Sequence, residues 1–189
     1  MHPMQQEVRD RISAIPIRPV QPTDHAEWLR MRLRLWGGIA EEQTHDIDAY
    51  FATPQGGITF VVERGGGGLC GFIEVSLRNY AEGCQTSPVA YIEGWYVDEE
   101  SRRRTLGTCL VQAAEAWARS HGLKEIASDT QLENAISIQA HTALGYEEVE
   151  RLVCFRKALD ASDSLQDDPS DASASTTPQR ATATHAPQP

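Results

Sequence analysis

Arg102, Arg103 and Arg104 stand in a row between two segments of opposite character. Before them, Tyr91, Ile92, Trp95, Tyr96 and Val97 are aromatic or β-branched, types that suit a pleated surface, and Gly94 among them marks a bulge or a close backbone approach. After them, Leu106, Leu110, Val111, Ala114, Trp117 and Ala118 recur at helical spacing on one apolar face. A strand that feeds a helix through a short turn leaves backbone N–H groups unpaired at the helix start, and the macrodipole favours an anion there. Three guanidinium groups and Gly107 at that point suit a phosphate-bearing ligand. The chain has no G-x-x-x-x-G-K-[ST] run, and its other glycine cluster, RGGGG at 64–68, is followed by a strand-like run, so it reads as a hairpin turn.

Two carboxylates complete the chemistry. Glu93 interrupts the apolar strand, and Asp129 ends a short strand-like run at its C-terminal edge, where ligand sites of α/β proteins lie. A carboxylate so placed can hold an ammonium group through a charge-assisted bond, or accept a proton from a reacting amine. The readings that need no ligand are an exposed sheet face for Glu93 and a turn cap for Asp129. Cys70, Cys84, Cys109 and Cys154 are scattered, with no C-x-x-C pair. They read as reduced thiols, with neither a metal site nor a disulfide framework and no acyl carrier among them.

The elements that position these residues follow from periodicity and punctuation. A strand is expected over 15–20, at an edge because of Pro16 and Pro19. Thr23 is expected to cap a helix running to Trp36, and a second helix covers 41–51. Strands over 58–63 and 69–77 form the hairpin around RGGGG, a polar loop spans 78–88, a short strand covers 125–128 and a helix 134–144, with Gly145 at its C-terminus. Residues 147–150 and 152–158 read as a closing hairpin.

The chain has 189 residues and a formal charge of −10, of which the stretch after Leu159 contributes −4. One domain over 15–159 is expected, with an N-terminal arm over 1–14 and a disordered acidic and polar tail over 160–189, since Asp, Ser, Ala, Thr, Pro and Gln bury too little apolar surface to fold. An acidic body argues against nucleic acid as a partner and favours cationic ones. No apolar run of about 18 residues and no apolar signal core are present, so a soluble cytoplasmic protein without a membrane partner is expected.

VDEESRRRTLGTCLV resembles the acetyl-CoA pyrophosphate loop of the GCN5-related N-acetyltransferases, Q/R-x-x-G-x-G/A, with Arg102 first, Gly107 last and Thr105 where that family carries a glycine. QTSPVAYIEGWYV before it, and AEAWARSHGLKEIASD and HTALGYEEVERLVCFRKAL after it, resemble the aminoglycoside 6′-N-acetyltransferases, and the likeness covers 17–159. It implies an α/β fold whose mixed sheet is splayed between its fourth and fifth strands, with acetyl-CoA as cosubstrate and no metal. It implies cofactor contacts from Arg102, Arg103, Arg104, Thr105, Leu106, Gly107 and Thr108, from Asn134 (which a helix cap explains equally), and from a backbone N–H near Tyr96 or Val97 facing the oxyanion. On the substrate side it implies Glu93 and Asp129, with Trp36, Tyr80, Glu82 and Gln85 beside them. His141 falls where the family carries a tyrosine that protonates the departing thiolate. Homodimerisation through 152–158 is a further implication. The residues leave open acetylation of another cationic amine (a polyamine, a protein N-terminus or a lysine) and a noncatalytic acyl-CoA-binding module.

Overall fold

The computed structural model describes residues 15–53, 56–102 and 105–158. The expected arm and tail, Arg103 and Arg104 lie outside the described residues. In chain order the elements are β1 (Ile17–Pro19), α1 (His25–Trp36), α2 (Ala40–Ala52), β2 (Ile58–Glu63), β3 (Leu69–Arg78), β4 (Val89–Val97), α3 (Leu106–Ser120), β5 (Ile126–Ser128) and α4 (Ala135–Ala143), with 3₁₀ turns at Pro22–Asp24 and Glu99–Ser101. The sheet runs β1-β2-β3-β4-β5 in space; the first four strands are antiparallel and β5 joins β4 in parallel. β1 is an edge strand, as Pro16 and Pro19 require.

Helices cover both faces. On one, α3 packs Leu110, Val111 and Ala114 against Val62, Ile73, Val75 and Ile92. On the other, α1 and α2 bring Trp28, Met31 and Ile47 onto Val61, Phe72 and Tyr96. Each such fully buried side chain stabilises the fold by about 1.5–3 kcal/mol relative to exposure, so the strands beneath the two helical layers form a rigid frame.

Two expectations are corrected. Thr23 does not cap α1: Pro22–Asp24 is a 3₁₀ turn, and Asp24 takes the Gln21 N–H at 2.8 Å and the Arg18 guanidinium at 2.6 and 3.0 Å. A charge-assisted pair outcompetes a hydroxyl there. The closing hairpin is not formed, since 147–158 carries no strand. Arg151 turns back on Glu148 three residues earlier, at 2.5 and 3.1 Å, a local contact incompatible with extended backbone. The compact unit that holds the sheet extends through Arg151; in the following run Leu152, Val153 and Phe155 are exposed.

Candidate active site

The organising feature is β4. Its residues pair in order with β3 as far as Ile92 opposite Val75, and resume with Gly94 opposite Glu74, so Glu93 is one extra residue, a β-bulge. β5 pairs with β4 only at Ala90, Tyr91 and Ile92. Beyond Ile92 and Ser128 the two strands part, leaving the rest of β4 with an open edge.

Strand parity says which groups face that gap. The Asp98 N–H donates to Cys70 O on β3 at 2.8 Å. Peptide groups alternate in direction, so Tyr96 also addresses β3, while Val97 turns its N–H and C=O outward. The Val97 carbonyl duly accepts Arg102 Nε at 3.0 Å. Of the two oxyanion candidates, Val97 therefore faces the gap. The Tyr96 ring is buried among Phe72 and its neighbours, with its hydroxyl on Asp98 Oδ1 at 3.1 Å.

The turn after β4 is anchored through Asp98, which is fully buried yet ionised. Burial opposes its charge, but bonds from Arg30 (2.9 and 3.0 Å), Tyr96 and Arg64 (2.6 Å) hold its carboxyl below the usual range. From this anchor the chain passes Arg102 and enters α3 through Thr105, whose φ of +64° and ψ of 0° are left-handed. The first intrahelical bond of α3 is Cys109 N–H to Thr105 O at 3.0 Å, so the N–H groups of Leu106, Gly107 and Thr108 point out of the helix end, as an anion requires. Gly107 allows α3 to lie on Trp95: a Cβ there would sit 2.9 Å from Trp95 Cζ2.

The other wall of the gap is α4. Asn134 caps it, accepting Ser137 N–H at 3.1 Å. His141 is held between Trp95 and Tyr146, each edge-on with centroids 5.4 Å away. Its Nδ1 lies 2.8 Å from Ser137 O, and a carbonyl only accepts, so Nδ1 carries a hydrogen; Nε2 meets the Ser128 hydroxyl at 3.1 Å. Ser128 is the last β5 residue paired to β4, so this contact lies where the strands part.

On the α1–α2 face lies a cleft of about 400 Å³, lined among others by Arg32, Asp46, Tyr50, Glu74, Ser76 and Glu93. Glu93 accepts Ser76 Oγ at 2.5 Å and the fork of Arg78 at 2.9 and 2.5 Å. The Arg78 guanidinium stacks 3.4 Å from the centroid of Tyr91, and the Tyr91 hydroxyl donates to Asp129 Oδ1 at 2.6 Å. Burial and this bond to Asp129 raise the Tyr91 phenol well above its ordinary range. Trp36 lies over Gly94, where a Cβ would sit 2.4 Å from its Cζ2. Tyr80 and Gln85 are exposed and Glu82 half-buried on the loop before β4, whose backbone is held by Glu125 at Gln85 and Thr86.

Arg32, Glu74, Ser76, Arg78 and Tyr91 were not singled out from the sequence. Glu74 accepts Trp28 Nε1 and Arg32 Nη1, all at 2.8 Å, and burial pushes its carboxyl up to about 7 despite these partners. An acid interrupting β3, as Glu93 interrupts β4, was the available signal.

A sheet parted at one strand pair, with an anion-favouring helix end at the parting and carboxylates on the opposite face, suits group transfer from an anionic donor to a cationic acceptor. The chain belongs to the acetyltransferase (GNAT) family, whose model matches residues 24–146. It is 44% identical over 146 residues to the aminoglycoside N(6′)-acetyltransferase type 1 of Klebsiella aerogenes, covering 76% of this chain and 96% of that protein. To the protein of that name from Stenotrophomonas maltophilia it is 38% identical over 151 residues, 79% of this chain and 97% of that one. Among solved structures it is similar to AAC(6′)-Iy in complex with the bisubstrate analogue CoA-S-monomethyl-acetylneamine (TM-score 0.72, 33% identity, 77% of this chain and 99% of the other). AAC(6′)-Ih from Acinetobacter baumannii matches at TM-score 0.72 and 33% identity, over 78% of this chain and 100% of that one.

Proposed function

We propose that the protein acetylates the 6′-amine of aminoglycosides from acetyl-CoA, by direct transfer in a ternary complex, and so protects a cell from these drugs. The observation that carries this reading is the parting of β4 from β5 at Ile92 and Ser128, with the α3 N-terminus on one side and the Glu93, Arg78, Tyr91, Asp129 array on the other. The residues present fit acetyl-CoA: the first-turn N–H groups of α3 and Arg102 suit its pyrophosphate, and the open β4 edge suits an extended pantetheine arm. Acetyl-CoA supplies the activated acetyl group. Val97 N–H, turned into the gap, donates to the acetyl oxygen as charge develops on it. Glu93 and Asp129 hold ammonium groups of the drug and accept the proton that the amine must lose. The Ser128 hydroxyl can give its proton to the thiolate while taking one from the Nε2–H of a His141 imidazolium, and the amine's proton leaves through Glu93 or Asp129.

The names of the relatives support the substrate class. We place the protein in the cytoplasm as a homodimer, joined through the exposed run that holds Leu152, Val153 and Phe155; among the described residues no helix is long and apolar enough to cross a membrane. Sedimentation of the chain with and without 152–158 tests the dimer.

The deciding assay is CoA release with aminoglycosides bearing a 6′-amine, matched analogues bearing a 6′-hydroxyl, and spermidine. Turnover confined to the 6′-amine drugs is expected, and Glu93→Gln or Asp129→Asn should cut kcat/KM for the drug about a hundredfold while leaving acetyl-CoA binding unchanged. Turnover of spermidine alone would move the protein to another amine.

A further inference from the structure

One of the two acids that would meet a substrate's ammonium groups already holds a cation, and it belongs to the protein. Arg78 ends β3 and crosses to β4. Its Nε and Nη2 engage both oxygens of Glu93, its plane lies against Tyr91, and the Tyr91 hydroxyl is bonded to Asp129. The Asp129 charge reaches the guanidinium as well. The guanidinium thus holds Glu93 and lies over the ring whose hydroxyl holds Asp129.

A second arginine on this face shows what a permanent cation looks like. The Arg32 side chain is 11% exposed. It donates to Gln43 (2.7 Å), to both oxygens of Glu74 (2.8 Å) and to Asp46 (3.3 Å), with its plane 4.8 Å from the Trp36 centroid and 5.6 Å from that of Trp28. Every donor nitrogen has an acceptor, so no ligand can displace it cheaply. Arg78 differs in each respect. Its side chain is 41% exposed, that of Glu93 33%, and Glu93 is its bonded carboxylate. An exposed pair of this kind contributes little net free energy and exchanges readily.

We propose that Arg78 sets the affinity threshold of the acceptor site by competing with the substrate's ammonium for Glu93. A ligand bringing a single ammonium exchanges one cation for another and gains almost nothing. A polycation that also reaches Asp129 gains a second charge-assisted bond, which offsets the released guanidinium. Arg78 therefore raises the dissociation constant of every cationic ligand by a common factor and leaves only polycations bound in a useful range. This inference rests on the acceptor site proposed above.

The test is calorimetric titration of kanamycin and of spermidine into the wild-type chain and into Arg78→Met, Arg78→Lys, Glu93→Gln and Arg78→Met/Glu93→Gln. Arg78→Met should bind both probes roughly three- to fivefold more tightly, the scale of an exposed ion pair released from competition. Arg78→Lys keeps the charge but loses the fork and the stacking, and should fall between wild type and Arg78→Met. The double variant should bind no more tightly than Glu93→Gln. Arg78→Gln serves the same purpose if the methionine variant does not fold, and an unchanged acetyl-CoA dissociation constant confirms an intact frame. Weaker or unchanged binding in Arg78→Met would overturn the proposal and make Arg78 a scaffold that orients Glu93. Failure of the drug-acetylation reading is separable: kanamycin would then be no substrate, while the pattern of binding constants for spermidine would still report on Arg78.

Discussion

Thr105 is the non-glycine residue with positive φ among the described residues, and it stands at the entry to α3. Its φ of +64° places a β-branched side chain where Cβ crowds the backbone, at a cost of about 1–2 kcal/mol. Thr105→Gly removes that strain. Against it stand about 0.5–1 kcal/mol of added backbone freedom in the unfolded chain and the loss of the contact between the Thr105 hydroxyl and the Cys109 thiol. The net expectation is a gain of up to about 1 kcal/mol, or a rise in Tm of about 2–4 °C for a domain of this size. Differential scanning calorimetry of Thr105→Gly beside Thr105→Ala provides the measurement. Alanine loses the hydroxyl yet keeps the Cβ, so it should not share the gain. If Thr105→Gly melted below Thr105→Ala, the strain account would be wrong and the threonine side chain would be what shapes the loop. Acetyl-CoA affinity should be preserved in the glycine variant, because the N–H groups it relies on belong to the helix end rather than to the threonine hydroxyl.

Three further outcomes are expected. Glu74 has its pKa raised from 4.5 to about 7, so the folded state binds the proton more tightly; this contributes stability that is full below about pH 4.5 and lost as pH rises to 7. Glu74→Gln removes the titration, and the stability of wild type minus that of the variant, from urea melts, should fall by about 3 kcal/mol across that window; a flat difference refutes the assignment. Asp98→Asn leaves Arg30 and Arg64 facing a neutral amide in a fully buried site, and should lower stability by about 3–5 kcal/mol in the same melts. Gly94→Ala drives a methyl into Trp36 and should cost about 1–3 kcal/mol while raising the drug KM more than the acetyl-CoA KM, since Trp36 lies on the α1–α2 face and the proposed pyrophosphate contacts belong to α3 on the opposite one.

Most of the element order was legible because the segments are periodic and well punctuated. β2 was placed at its observed bounds and α4 within one residue at each end, since apolar spacing, Gly145 and an asparagine cap agree there. The region 147–158 was not legible: its alternation is strand-like, yet a hairpin needs a partner surface, and the Glu148–Arg151 contact takes the local backbone first. The acids were legible as interruptions of apolar strands. Their resident cations were not, because Arg32 and Arg78 acquire meaning only from residues up to 42 positions away, as in the Arg32–Glu74 bond. The cap role of Asn134 was legible as an alternative, whereas the Ser137 and Ser128 partners of His141 were not.

The bulge at Glu93 ties the two halves of the site together. Side chains alternate strictly along a strand, so one extra residue exchanges the faces of everything beyond it. Glu93 lines the α1–α2 cleft, and Gly94 under Trp36 lies on the same face of the sheet; past the bulge, Trp95 turns to Gly107 on α3 and Tyr96 returns to the core beneath α1 and α2. An unbulged β4 would place Trp95 against α1 and Tyr96 beneath α3, and would turn the Val97 N–H toward β3. Glu93 could then face the cleft only at the expense of the gap. The single inserted residue allows one strand to present a carboxylate on the α1–α2 face and, four residues later, a peptide N–H at its open edge, the two groups that the proposed transfer requires.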